Sequence, residues 1–406
     1  MSSIGQQRVR TRSLFEEDRL TLPKSIELSA ESLRHYGSLY RHWAIAFSGG
    51  KDSSATVTLI AHLIDTGRIP KPASLTVLYA DTRLELPPLH TAAMKILDEL
   101  RNRGLDTRIV LPKLDHRYFV YMLGRGVPPP SNTFRWCTPK LKVMNMEQEL
   151  EHVQQKYGEK LLMLTGVRIG ESAARDQRIA LSCTKDGGEC GQGWFQQTSI
   201  QAVADTLAPL LHWRICHVWD WLMFEAPMLG FPTEAIANVY SQDKSDGEEP
   251  INARTGCIGC PLVQKDAALD RVVSQPEWSY LAPLQKLRPL YWEIKKPRHR
   301  LRKHGEVNKD GSLSAKQNRL GPLHIEARRW MLQQVLAIQA LVNEAATIEG
   351  RPEISLINSE ELARIEELIA ANTYPDKWDG TEPRGDIMFP KILPDGSIQP
   401  LLFTDF

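Results

Sequence analysis

The run Ser48-Gly49-Gly50-Lys51-Asp52-Ser53-Ser54 constrains this chain more than any other stretch. It follows a short apolar segment, Ala44-Ile45-Ala46-Phe47, and precedes apolar residues at helical spacing, Val57, Ile60, Leu63 and Ile64. A strand that turns into a helix through two glycines lets backbone N–H groups approach a ligand, and the helix N-terminus adds partial positive charge. Ser48, Ser53 and Ser54 bring hydroxyl donors and Lys51 a full charge, so the turn suits a polyphosphate. The Walker spacing G-x-x-x-x-G-K-[ST] is absent.

Further strands are expected at Leu75 to Tyr79, Thr107 to Val110 and Leu161 to Leu164, with helices over Pro88 to Arg103 and Pro139 to Lys156 and a short one from Trp219 to Phe224. Strands apolar on both faces that alternate with helices predict an α/β fold with a doubly wound parallel sheet, whose ligands bind beyond the carboxyl ends of the strands. After Cys260 the pattern becomes helical, at Leu323 to Val342 and Ser359 to Ala370, before an irregular tail from Pro375. The expected organisation is an N-terminal arm over residues 1–40, a catalytic domain over 41–270 and a mainly helical C-terminal region over 271–406.

No apolar run approaches the roughly 20 residues that span a bilayer, and Met1 to Arg12 is followed by Glu16-Glu17-Asp18, not by a secretory apolar core. A cytoplasmic protein that leaves membranes alone is expected. There its six cysteines would stay reduced and serve metals or catalysis, with Cys216, among apolar neighbours, read as a core thiol. The net charge is only +1, yet Lys295 to His304 concentrates six Lys/Arg and two His in ten residues. This segment reads either as a solvated loop or as a nucleic-acid contact.

The string S-G-G-K-D-S resembles the pyrophosphate-binding loop of the PP-loop ATP pyrophosphatases, an adenine nucleotide alpha hydrolase-like fold. Tyr79-Ala80-Asp81-Thr82 is similar to the strand-end Asp-Thr of that family's phosphoadenosine-phosphosulfate (PAPS) reductase branch. Thr165-Gly166-Val167-Arg168-Ile169-Gly170-Glu171-Ser172-Ala173-Ala174-Arg175 is similar to its G-x-R-x-x-E-S-x-x-R block. The resemblance implies ATP and Mg2+ held by Ser48 to Ser54, Asp81, Gly166 and Arg168, with Lys51, Asp52, Arg168, Glu171 and Arg175 serving catalysis. Two arginines near a strand end can clamp an oxyanion, and Glu171 can fix one of them.

Arg135-Trp136-Cys137-Thr138-Pro139 and Gly256-Cys257-Ile258-Gly259-Cys260-Pro261 resemble the cysteine blocks that ligate a [4Fe–4S] cluster in some relatives. Cys137, Cys257 and Cys260 would be ligands, with Cys190 preferred over Cys183 as the fourth; zinc is the alternative metal. Pro209 to Leu222 resembles a further block of the PAPS reductase branch, and Arg319 to Arg329 looks like a helix start of the DndC-type proteins, which take part in DNA phosphorothioation. The implied function is ATP-driven sulfur transfer to the DNA backbone within a defence system, with a cysteine desulfurase as donor and other DNA-modification proteins as partners. A sulfonucleotide reductase or a tRNA or small-molecule thiolase is the alternative. The absence of any cysteine after Cys260 disfavours the reductase, whose nucleophile lies near the C-terminus.

Overall fold

The central strand, β1 (His42–Phe47), is buried on both faces because its neighbours in the sheet and the layers above and below it are all apolar. In the computed structural model, which describes residues 20–170, 176–177, 188–189, 194–199, 201–240, 256–304, 306, 308, 310–312, 314, 318–393 and 396–399, it follows helix α1 (Leu22–Gly37). Helix α2 (Lys51–Asp65) leads to β2 (Ser74–Ala80), and α3 (Pro87–Asn102) leads to β3 (Asp106–Val110). A π-helical turn, Pro139–Val143, opens α4 (Met144–Tyr157), which returns the chain to β4 (Leu161–Leu164).

Ile45 of β1 pairs in parallel with Val77 of β2 on one side and Leu164 of β4 on the other. With β5 (Gly188–Glu189), β6 (Trp194–Gln196) and β7 (Ala204–Ala208) the sheet has seven strands in the order β3-β2-β1-β4-β7-β6-β5, antiparallel only at β6 and β5. The expected doubly wound α/β fold is therefore present. Side chains alternate across a strand, so Trp43, Ile45 and Phe47 pack with α1, α2 and α3 while Ala44 faces Leu150 and Val153 of α4.

Strand β7 gave no apolar signal because its Asp205 is buried. The cost of that burial is met by Lys160 at 2.7 Å, the Tyr40 hydroxyl at 2.5 Å and the Thr198 N–H at 2.6 Å.

Helices α5 (Ile215–Asp220), α6 (Glu234–Tyr240), α7 (Ala267–Ser274) and α8 (Leu287–Ile294) precede a hairpin, β8 (Arg300–His304) with β9 (Asn318–Leu323). Then come α9 (Ile325–Glu349) and α10 (Ser359–Ala370), the latter closed by an Asn358/Glu361 capping box. Leu281, Leu287, Met331, Val335 and Ile365 of this region join the same buried cluster as Leu33 and Trp43. The hairpin occupies the basic segment before α9, where no strand was expected. Its strand pattern is hidden by arginines whose guanidiniums turn inward onto carbonyls: Arg300 donates to Gly321 O at 2.7 Å, and Arg302 to Asn318 O at 2.6 Å and to Gly385 O. Among the described residues, no helix is long and apolar enough to cross a membrane.

The seam between α1 and β1 is tight. A Cβ added at Gly37 would lie 2.3 Å from the Trp43 ring, and that ring is fixed by its own N–H donating to Tyr40 O at 3.0 Å. Gly37→Ala is expected to lower stability by about 1–3 kcal/mol through overpacking. Urea unfolding followed by tryptophan fluorescence checks this, and an unmoved midpoint contradicts it.

Candidate active site

Between the end of β1 and the start of α2 the backbone makes a turn that only glycine fits easily. Gly49 has φ +73°, and a Cβ there would sit 3.0 Å from the Ala93 Cβ. The turn is closed internally: the Ser48 N–H donates to Ser53 Oγ at 3.2 Å, and Ser53 Oγ donates to Gly50 O at 3.0 Å. Gly50 is the N-cap of α2 and brings no side-chain acceptor, so the first-turn N–H groups are left open to an anion.

Chain connections leave β1 and β4 toward opposite edges of the sheet, which opens a crevice at their carboxyl ends. Across it, Arg168 Nε donates to Asp52 Oδ1 at 2.5 Å, while Lys51 Nζ lies 3.4 Å from Oδ2 of the same carboxylate. Lys51 and Arg168 are each 4% exposed, so the ion pairs are held in a poorly solvated place. Gly166 permits this approach: a Cβ there would come within 3.0 Å of the Asp52 carbonyl and the Ser53 nitrogen.

The crevice is a cleft of about 670 Å³. Its lining combines the polar Ser48, Lys51, Asp52 and Ser53 of the turn with the apolar Leu86, Leu89, Met146, Leu150 and Met163. Its size and mixed lining suit a nucleotide, with phosphates at the helix N-terminus and a base among apolar side chains.

Asp81, expected to face the nucleotide, instead shapes the turn after β2. Its carboxylate accepts from the Arg83 N–H at 2.7 Å, while Ala80 and Glu85 form the cleft wall. Arg83 itself has φ +63°, a strained conformation for a residue with a side chain. Glu85 accepts from Thr82 Oγ1 at 2.7 Å and from the Thr82 N–H at 3.0 Å; burial raises its pKa and the nearby Lys142 opposes that rise. The same turn carries the C-x-x-C loop, since the Ile258 N–H donates to Leu84 O at 2.8 Å. Cys257 thereby lines the same cleft.

Cys137, Cys257 and Cys260 come from distant parts of the sequence into one another's electrostatic field, and buried Tyr118 lies within the field of all three. Burial pushes the Cys257 thiol up to about 12, with Lys142 opposing and Glu85, Cys260 and Cys137 reinforcing the shift. Burial and Cys260 raise Cys137. The soft donor set suits a thiolate-held metal. Among the described residues, however, no three His, Cys, Asp or Glu side chains converge closely enough to hold an ion.

The proposed fourth ligands, Cys183 and Cys190, lie outside the described residues, as do Glu171 and Arg175. Cys216 corrects the sequence reading: it is exposed. On α5 the helical period turns His217, Val218, Trp221 and Leu222 inward and leaves Cys216 on the outside.

Glu85, Lys142 and Tyr240 line the cleft unforeseen. Glu85 lies only four residues beyond Asp81, and Lys142 stands in the basic run after Cys137, signals that could have found both. Tyr240, whose ring centroid is 5.1 Å from Lys51 Nζ, has no such signal in the sequence.

Residues 42–227 match the family described as the phosphoadenosine phosphosulfate reductase domain. Two uncharacterized proteins of Methanocaldococcus jannaschii are similar: one is 24% identical over 230 residues, 56% of this chain and 38% of the relative. The other is 25% identical over 216 residues, 53% of this chain and 40% of the relative. The matched part thus spans well under half the length of these curated relatives.

Among solved structures, PAPS reductase from Candida auris in a phosphate complex aligns with TM-score 0.32 and 13% identity, over 56% of this chain and 97% of that one. The U34-tRNA thiolase NcsA from Methanococcus maripaludis with its [4Fe-4S] cluster aligns with TM-score 0.33 and 13% identity, over 67% and 76%. Candida glabrata FMN adenylyltransferase with FMN and the ATP analogue AMPCPP aligns with TM-score 0.30 and 15% identity, over 50% and 57%.

Two outcomes follow from the geometry. Because Asp52 and Arg168 are paired in a poorly solvated place, Asp52→Ala or Arg168→Ala alone should cost about 3–5 kcal/mol. The double variant should cost clearly less than the sum, as a double-mutant cycle in urea would measure; simple additivity would count against the pair.

The Cys257 thiol, raised from an ordinary value of 9.0 to about 12, favours the folded state fully below pH 9, and that contribution is lost as pH climbs to about 12. In metal-free chain, Cys257→Ala should therefore flatten the fall of Tm between pH 9 and 11, and an unchanged slope would remove this account.

Proposed function

We propose that the chain is an ATP pyrophosphatase that activates an oxygen for replacement by sulfur. The observation that carries this reading is the shared cleft: the phosphate-binding turn at Ser48 to Ser53 and the thiol Cys257 line one cavity.

In the proposed reaction the turn N–H groups and Lys51 hold the β and γ phosphates of ATP supplied with Mg2+. An acceptor oxygen attacks the α-phosphorus as its bond to pyrophosphate breaks. Lys51 and the open N-terminus of α2 stabilise the charge that develops on the leaving pyrophosphate. Arg168, oriented by Asp52 at 2.5 Å, faces the adenylated centre. A sulfur nucleophile then displaces AMP as the new bond to sulfur forms.

Cys137, Cys257 and Cys260, with Cys190 or Cys183, would hold a metal at the thiol group; a [4Fe–4S] cluster there would bind or position sulfur, and zinc would serve a structural role.

The acceptor we propose is the DNA backbone, on the similarity of the Arg319 to Arg329 block to the DndC-type proteins. A cysteine desulfurase and other DNA-modification proteins would be the partners in a cytoplasmic system. The match of residues 42–227 to the PAPS reductase domain favours a second reading, a sulfonucleotide reductase, which would release sulfite from PAPS in the presence of a thiol reductant and would not cleave ATP.

Lys51→Ala is expected to reduce conversion of ATP to AMP and pyrophosphate at least 100-fold with the circular dichroism spectrum unchanged. Unchanged turnover, or sulfite release from PAPS by the native chain, would sink the leading reading.

A further inference from the structure

A second cleft of about 800 Å³ lies between the segment Tyr121 to Lys140, the β8–β9 hairpin and the turn at Pro375 to Trp378. Five cations line it: Arg125, Lys140, Lys295, Arg300 and Arg319. The acids at hand are Asp376 in its wall and Glu306, which pairs with Arg319 at 2.7 Å and 2.9 Å. Among the described residues, none of Arg125, Lys140, Lys295 and Arg300 has a carboxylate within ion-pair distance.

The donors of three of these cations are fixed by neutral groups. Lys295 Nζ donates to Pro130 O at 2.6 Å, Arg300 to Gly321 O at 2.7 Å and to Leu320 O at 3.2 Å, and Lys140 Nζ lies 3.2 Å from His116 Nε2. Four half-buried positive charges outside any ion pair, with Asp376 in the wall and Asp115 in the field of Arg125 as the nearby acids, repel one another, and an anion in the cleft relieves that repulsion. Burial already pushes Arg300 down to about 10.

The walls also carry rings. Phe134 is 48% exposed at the rim, and Trp378 stands edge-on against Gly321, where a Cβ would overlap it at 2.0 Å. Spaced cations beside an exposed aromatic face suit a chain of phosphates that bears flat bases, since every base can stack and every phosphate can pair.

The basic segment from Lys295 to Lys303 divides accordingly. Lys296 and Arg298 are tied to Glu293, Arg302 is buried on Gly385 O, and Lys303 donates to Lys377 O. Only Lys295 and Arg300 of this segment line the cleft. The thiols stand between the two cavities: Cys257 lines the first, and Lys295 of the second lies in the field of Cys260.

We propose that this second cleft binds a single nucleic-acid strand, with Arg125, Lys140, Lys295 and Arg300 on its phosphates and Phe134 stacked on a base. The inference rests on the reading above only in taking the other cleft as the ATP site; strand binding is measured without ATP and in Lys51→Ala, so the two readings fail separately.

The experiment is fluorescence anisotropy of labelled 15-nucleotide DNA and RNA strands with the full chain across a salt series. Arg125→Ala/Lys295→Ala should weaken binding at least 10-fold and reduce the log–log salt slope by about 1.4, two phosphates at roughly 0.7 each. Phe134→Ala, a change at an exposed ring that leaves the fold intact, should weaken binding several-fold at unchanged slope. Lys51→Ala should bind as the native chain does. The DNA and RNA arms identify which strand is preferred.

Strand affinity and slope unchanged in both cleft variants would overturn the proposal. So would displacement of the strand by a mononucleotide at equal molar concentration, which would make the cleft a site for free nucleotides. Should the double variant unfold by circular dichroism, Phe134→Ala decides alone.

Discussion

The contact on which the site depends is the one between Arg168 and Asp52, which joins the loop after β4 to the first turn of α2 across the point where the sheet reverses its winding. A buried guanidinium and carboxylate gain little net stability from each other, because both lose water, but neither tolerates losing its partner. The pair therefore acts as a register pin. It fits because Gly166 has no side chain, since a Cβ there would come within 3.0 Å of the Asp52 carbonyl, and Lys51 lies beside the same carboxylate. A phosphate-binding end whose charges are held in place before the ligand arrives needs no reorganisation when charge develops.

That pin explains which features were legible in the sequence. Glycine-rich turns at strand ends, apolar runs and helical spacing are local signals, so β1, β2, β4, α2, α3 and α10 fall within a residue or two of where their residues predict. The features that escaped are those where polar groups occupy buried positions. Strand β7 carries Asp205, and β8 carries Arg300 and Arg302; each is satisfied by partners that are remote in sequence or supplied by backbone carbonyls. Composition reads such residues as surface. Cys216 fails in the opposite direction, since apolar neighbours one step away on a helix face a different side.

Of the site itself, the turn from Ser48 to Ser54 and the presence of Arg168 could be anticipated, whereas the partner of Arg168, expected to be Glu171 and found to be Asp52, and the cleft wall could not. Glu85 enters through a strained turn at Arg83, and that turn in turn carries Ile258 and hence Cys257. This coupling places the thiol loop on the strand-end turn of the first cleft, so a shift of one moves the other. Burial raises the Cys257 thiol and Lys142 opposes that rise without overcoming it.

The distribution of cations carries the same lesson at larger scale. A net charge of +1 hides a second cleft lined by five cations and one acid, and a run of six Lys/Arg overstates how many of its members face that cleft. Arg300 and Lys295 give donors to carbonyls and keep their charge, so they attract an anion mainly through their field and less through a directed fork of hydrogen bonds. If such a surface holds a strand as proposed, it would recognise phosphates as a class and carry little information about sequence. On that proposal, any choice of position along the strand would come from outside these contacts, through the groups that meet the bases or through a partner that presents the strand.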